Sequence, residues 1–235
     1  MKKRHQIIIV GGGPVGVALA VDLGLRGISC ILVERRLEPQ RIPKGQNLTQ
    51  RTVEHFYFWG IADELRAARI LPPGYPMNGI VAYGNLMSEY WYTPPLREIV
   101  NSYYFQKNER LPQYQTEHVL RARMAQLANV EPRIGWSARS IEQDADSVRV
   151  AINEEGGSGL EILEAEYVVG CDGGPSTVRR QIGIERGGAD FNQLMVLAVF
   201  RSRELHEGLK RFPARSTYRV MHPGFEGLLA VLRPG

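Results

Sequence analysis

"IIIVGGGPVGVALAVDLGLRGISCILVERR", residues 7–36, decides how the rest of the chain is read. Its outline admits two readings. A basic start, Met1-Lys2-Lys3-Arg4, runs into an apolar stretch ending in Ala18-Leu19-Ala20, as a secretory leader does. The interior argues against a leader: Gly11, Gly12, Gly13, Pro14 and Gly16 crowd the would-be apolar helix with the residues that cost a helix most. The same residues suit a turn between two elements. Ile7 to Val10 reads as a buried strand. Val17, Leu19, Ala20, Val21, Leu23 and Leu25 supply a buried helix stopped by Gly27, and Ile31-Leu32-Val33 supplies a second strand. Strand, glycine turn, helix, strand make one βαβ unit of about 30 residues.

Within that unit, Gly11, Gly13 and Gly16 fit G-x-G-x-x-G, with Pro14 and Val15 between the last two. The first glycine permits the tight turn, and the second lets backbone approach a pyrophosphate. The third lets helix and strand pack closely, while the helix N-terminus faces the negative charge. Glu34 closes the second strand about 20 residues on, where a carboxylate accepts hydrogen bonds from ribose hydroxyls and repels a 2′-phosphate. The nucleotide expected is therefore FAD or NAD rather than NADP, and this stretch alone does not choose between them.

The bulk numbers are those of a globular α/β chain. A length of 235 residues can bury a full core, and 43% hydrophobic with 23% charged residues is ordinary. A net charge of +4 mildly favours anionic small molecules. Lys and Arg are scattered with no aromatic-interleaved basic stripe, so no nucleic-acid partner is expected. No uncharged apolar run is long enough to span a bilayer, so no membrane partner is expected either. Cys30 and Cys171 sit in apolar strand patterns and read as small buried hydrophobes, without metal-ligand spacing. A reducing cytoplasm fits.

A second strand–glycine turn–helix junction stands at "EAEYVVGCDGGPSTVRRQIG", residues 164–183. Tyr167-Val168-Val169 reads as a strand, Asp172 to Pro175 as a turn, and Ser176 as the cap of a helix running to Gln181. Taken with the first junction, the chain resembles the class A, single-component FAD-dependent aromatic hydroxylases, the phenol hydroxylase and para-hydroxybenzoate hydroxylase type. "VGGGPVG" with "ILVERR" is similar to that family's FAD fingerprint, and "VVGCDGGPSTVRR" to its Asp-Gly motif. "RIPKGQNLTQRTVEHF", residues 41–56, and "PQYQTEHVL", residues 112–120, resemble two further family segments in the family's order.

The resemblance implies FAD as cofactor, NADPH or NADH as co-substrate, and hydroxylation of a small phenol-like aromatic by O₂ through a flavin hydroperoxide. It places Gly11, Gly13, Pro14, Val15 and Gly16 at the pyrophosphate, Glu34 at the adenosine ribose and Arg35 beside the adenine. Arg51 and Glu54 fall on the helix that follows. Gln113 is placed at the ribityl chain or the pyrophosphate, and Asp172 with Gly173 in the second motif. Lys44 stands where the family has an arginine near the flavin; it keeps the charge and loses the planar fork.

The fold expected is a Rossmann-like FAD-binding domain of the glutathione-reductase type, with a β-meander over 137–170, followed by the start of a mixed β-sheet substrate domain. Residues 1–72 hold the FAD-binding βαβ unit, 73–108 an inserted substrate-side segment, 109–186 the rest of the FAD-binding domain, and 187–235 the first substrate-domain strands. Those strands are read as "LMVLAVF", "STYRVM" and "GLLAVL". Thr49 is read as capping a helix through Val53 and Phe56 to Gly60, with a short helix over 63–68 after it. From Met77 to Tyr104 the pattern is aromatic and extended, its rings serving either the substrate side or an antiparallel core. Leu120, Met124 and Leu127 lie at core-facing helical spacing.

The family's third motif, built on Gly-Asp, has no counterpart in the sequence. The chain therefore reads as the N-terminal portion of a longer enzyme, retaining FAD poorly and inactive alone. A non-catalytic dinucleotide-binding module and an NAD-dependent dehydrogenase stand as rival readings. His206 and His222 fall in the expected substrate region, but no residue is assigned a catalytic role, and no oligomeric state is implied.

Overall fold

The computed structural model describes residues 5–42, 44–73, 75–76, 78–94, 98–188, 196–222 and 225–231. The chain begins as its glycines and apolar runs dictate: β1 (His5–Val10), α1 (Pro14–Leu25) and β2 (Cys30–Glu34). Proline at the first helical turn starts α1, and Gly27, at φ +78°, follows its end. Next come β3 (Asn47–Leu48), α2 (Gln50–Phe58) and α3 (Ala62–Ala67). Thr49 caps α2 by accepting from the Thr52 N–H, and Gly60 turns the chain at φ +74°. The chain continues through β4 (Gly79–Tyr83), β5 (Trp91–Tyr92), α4 (Glu98–Asn101), β6 (Glu109–Arg110) and α5 (Gln113–Met124). Then follow β7 (Val130–Ile134), β8 (Trp136–Gln143), β9 (Val148–Glu154), β10 (Glu161–Gly170) and α6 (Thr177–Gln181). The last elements are α7 (Arg203–Leu209), β11 (Thr217–His222) and β12 (Phe225–Val231).

The main sheet has the order β7-β2-β1-β10-β9-β8. Its first four strands are parallel, and β9 and β8 complete an antiparallel meander with β10. The meander expected over 137–170 is present, with turns where "DADS" and "EEGGSG" stand. β10 serves both halves: residues 161–165 pair with β9, and its C-terminal part pairs with β1.

The central parallel strands β1 and β2 are buried on both faces, which explains their apolar runs. On one face Ile9 and Leu32 pack with Val17 and Val21 of α1, Phe56 of α2, and Leu120 and Met124 of α5. On the other, Ile8, Val10, Ile31 and Val33 meet Val150, Ile152 and Leu163 of the meander and Val178 of α6. Alternation along β1 thus divides two cores. Leu127 packs partly buried against the first of them.

A second sheet, β12-β11-β4-β5, joins strands more than 130 residues apart, since β11 lies parallel to β4 with Thr217 opposite Gly79. Three expectations change here. Residues 196–200, the described part of "LMVLAVF", form no strand, and Val196, Leu197, Val199 and Phe200 are exposed. An apolar run yields a strand only where a neighbouring strand takes its N–H and C=O groups, and among the described residues none lies beside it. The 77–104 segment is not extended throughout, because Glu98–Asn101 is helical. Its aromatics are not a sheet core: Tyr83, Tyr90, Trp91, Tyr92, Tyr103, Tyr104 and Phe105 are all exposed. Two of them sit on β5, an edge strand with a single paired side.

Candidate functional site

β1, β2 and β10 run parallel, so their carboxyl ends share one edge of the sheet. The chain leaves β1 through α1 toward β2, while β10 approaches from the other side. This is the strand-order reversal at which open α/β sheets form a ligand crevice. The backbone closes the edge tightly: the Gly11 N–H donates to the Val33 carbonyl at 2.8 Å, and the Cys171 N–H to the Val10 carbonyl at 2.7 Å.

The glycine turn and the Asp-Gly turn touch each other there. Gly11 adopts φ +106°, and a Cβ on it would stand 2.4 Å from the Cys171 carbonyl oxygen and 2.7 Å from the Asp172 nitrogen. A Cβ on Gly16 would stand 1.8 Å from the Gly11 oxygen and 3.1 Å from the Cys171 Cβ. These two glycines are required by the protein's own packing. Gly13 differs. It is the N-cap of α1, no side chain caps the helix, and a Cβ there would meet nothing within 4 Å. The start of α1 is thus uncapped by any side chain with open space over Gly13, an arrangement able to receive an anion.

That space belongs to an open cleft lined by Gly12, Gly13, Glu34, Lys44 and Gln113 among others. Glu34 reaches over the turn: its carboxylate accepts from the Gly12 N–H at 2.6 Å and from the Arg36 N–H at 2.7 Å. Gly12 is needed for this, since a Cβ would fall 2.5 Å from that of Glu34. Pairing of β3 with β6 brings the 44–46 stretch to the start of α5, where the Gln113 N–H donates to the Gly45 carbonyl at 3.0 Å. Lys44 and Gln113, far apart in the chain, thereby meet on one wall.

The structure brings Gly13, Glu34, Lys44 and Gln113 together on the cleft. Gly11 and Gly16 stand behind it as packing residues, and Val15 is exposed on α1 beside Pro14. Arg35 is exposed and does not line the cleft, whereas Arg36 does. Asp172 is occupied with its own turn. One of its oxygens accepts from the Ser176 hydroxyl at 2.5 Å, the other from the N–H groups of Thr177 and Val178. Gly173, at φ +84°, completes that turn. Ser176 in turn caps α6 by accepting from the Arg179 N–H at 3.0 Å.

Gly12, Arg36 and Glu117, which stand in the quoted motifs without an assigned role, also line the cleft, as does Arg121. The signal for Glu117 and Arg121 was present, because they follow Gln113 at four and eight residues on one face of α5. Three carboxylates (Glu34, Glu38, Glu117) face three cations (Arg36, Lys44, Arg121) around the cleft. With the charges balanced, attraction for a diphosphate falls to the backbone N–H groups of the turn. His206, on α7, is exposed, and the side chain of His222 lies outside the described residues. No group of three or more metal-ligating side chains occurs among the described residues, and no helix there is long and apolar enough to cross a membrane.

Comparison with known proteins agrees with this geometry. A family profile described as "FAD binding domain" matches residues 4–231. A 12-dehydrotetracycline 5-monooxygenase/anhydrotetracycline 6-monooxygenase of Streptomyces rimosus is 33% identical over 208 residues, which are 86% of this chain and 37% of that protein. A 3-(3-hydroxy-phenyl)propionate/3-hydroxycinnamic acid hydroxylase of Burkholderia cenocepacia is 29% identical over 206 residues, 88% of this chain and 36% of its own length. The chain thus spans little more than a third of these curated relatives. Among solved structures, the flavin-dependent monooxygenase PieE in complex with FAD and substrate superposes with a TM-score of 0.80 at 24% identity, over 99% of this chain and 41% of that one, and shows the shared fold.

Proposed function

Because the chain belongs to the FAD-binding-domain family, we propose that the protein is a flavoprotein monooxygenase. In this reading it uses NADH or NADPH and O₂ to hydroxylate a small phenol-like aromatic. The observation that carries the proposal is the open space over Gly13 at the uncapped start of α1, bounded by Glu34 and Gln113. It fits the diphosphate and sugar of a dinucleotide. The family settles the choice between FAD and NAD that the glycine turn leaves open.

Bound FAD would supply the redox chemistry, carrying electrons from the reduced nicotinamide to O₂ for insertion into the ring. The residues of this chain bind and orient. N–H groups of the Gly13–Gly16 turn receive the diphosphate, and Glu34 accepts from the ribose hydroxyls beside the Gly12 N–H. Lys44 adds a mobile positive charge at the opposite wall. The Asp172-Gly173 turn completes the surroundings by holding the carboxyl end of β10 against Gly11, while Arg35, outside the cleft, is assigned no contact. The substrate class is supported by the hydroxyphenyl acid in the name of the Burkholderia cenocepacia relative.

The test uses the full-length protein. FAD titration followed by flavin fluorescence, then NADH and NADPH oxidation with and without a panel of phenols, should give one FAD per chain and oxidation stimulated by a phenol. Incorporation of one oxygen atom from labelled O₂ into the product would establish monooxygenation. Failure to bind FAD would overturn the reading. FAD binding with no nicotinamide oxidation under any phenol would favour a non-catalytic binding module.

A further inference from the structure

We propose that Glu117 is a positioning residue: it fixes the side-chain amide of Gln113 so that Oε1 is presented to a hydroxyl of the bound cofactor. The inference rests on the FAD reading above and concerns one contact within it. Glu117 is buried, at 5% exposure, yet lines the cleft one helical turn beyond Gln113. A carboxylate can only accept hydrogen bonds, so the amide group facing it has to be the NH₂. The structure shows this pairing, with Gln113 Nε2 donating to Glu117 Oε1 at 2.8 Å.

The amide oxygen is consequently directed away from Glu117. It lies toward the 44–46 stretch, 3.7 Å from where a Cβ on Gly45 would stand. A glutamine without this partner could turn its amide over at little cost. An oxygen acceptor has nothing to offer an ionised phosphate, which is itself acceptor-only, but it can receive a hydroxyl hydrogen. With Glu34 assigned to the ribose, the hydroxyl left for Gln113 is on the ribityl chain. The NH₂ carries a second hydrogen, so Glu117 fixes what Oε1 can receive and does not by itself bar Nε2 from a phosphate. A buried carboxylate beside a diphosphate site is otherwise unfavourable, since it adds like charge. Holding Gln113 is a reason for it to be there.

The experiment is a double-mutant cycle on FAD affinity in the full-length protein, with Glu117→Leu, Gln113→Leu and the double variant. Glu117→Gln serves as the conservative control, because its amide oxygen can still accept from Gln113. Glu117→Leu and Gln113→Leu are each expected to weaken FAD by about tenfold, the worth of one hydrogen bond, and the double variant by no more than either. Glu117→Gln should recover most of the loss. ADP, which lacks the ribityl chain, should bind all variants as it binds the wild type. Additive losses, or an equal weakening of ADP, would show that Glu117 supports the cleft generally and would overturn the inference. Absence of FAD binding by the wild type would instead remove the functional reading and this inference with it.

Discussion

Gly11, Gly13 and Gly16 match one motif but answer to different constraints, and substitution separates them. Gly16→Ala places a methyl group on the Gly11 backbone, 1.8 Å from its oxygen. It should destabilise the fold by about 1–3 kcal/mol, as overpacking does, visible as a lower denaturant midpoint without any ligand. Gly13→Ala meets no protein atom and should leave that midpoint nearly unchanged, yet weaken FAD by tenfold or more as the methyl group occupies the diphosphate's approach. Equal effects of the two substitutions on stability would contradict the assignment of Gly13 to the ligand. Cys30 carries a pH signature at the same scale. It is fully buried on β2, and burial pushes its thiol from 9.0 up to about 11. The protonated thiol is favoured in the fold, so its contribution is whole below pH 9 and lost as pH rises toward 11. Urea midpoints measured from pH 8 to 11 should therefore fall less steeply in Cys30→Ala than in the wild type. Parallel declines would show that Cys30 contributes nothing.

Among the elements, those announced by local chemistry were legible. α1 follows from glycine, proline and an apolar run, and α2 from the Thr49 cap. Thr49→Ala should cost about 1 kcal/mol, measurable by thermal denaturation, because the Thr52 N–H loses its acceptor. Both parallel strands around the glycine turn, and the meander after them, were equally plain from apolar runs separated by turn residues. The strand expected at 194–200 was not, because its composition is that of a strand while strand formation depends on a neighbour that composition does not reveal. Of the two readings of the aromatics on and around β5, the antiparallel core fails for a related reason. Their β-propensity is real, but an edge strand leaves such rings at the surface. In the site, Glu34 and Gln113 could be named from motif positions. Glu117 stands in the 112–120 segment that resembles the family's, though no role was read from it; Arg121 lies beyond that segment, and only helical spacing from Gln113 puts it on the same face. Arg36 rather than Arg35 lines the cleft because of the turn after Glu34, a backbone detail that no residue type encodes.

Across the whole molecule, the two-stranded pair β3–β6 reaches the second sheet through a side chain. Arg110 on β6 donates to the Thr217 hydroxyl on β11 at 2.5 Å, and burial pulls its guanidinium pKa down. Its neighbour Glu109 is buried and held by Arg69, whose Nε donates at 2.8 Å, with Arg66 alongside. Glu109 thus anchors β6, and through β6 the strand that brings Lys44 to Gln113. Glu109→Ala should cost on the order of 2 kcal/mol, less than a fully buried pair because the arginines are partly exposed. It should also weaken FAD although Glu109 lies outside the cleft. Unchanged FAD affinity in that variant would show that the β3–β6 pairing does not shape the site.

The central claim is that backbone N–H groups at the mouth of α1, with Glu34 beside them, hold the diphosphate and ribose of FAD. A crystal structure of the full-length protein grown with FAD is the test. The account predicts diphosphate oxygens within hydrogen-bond distance of the N–H groups of the Gly13–Gly16 turn, and the Glu34 carboxylate on the adenosine ribose. A diphosphate bound elsewhere, or a ribose out of reach of Glu34, would contradict it.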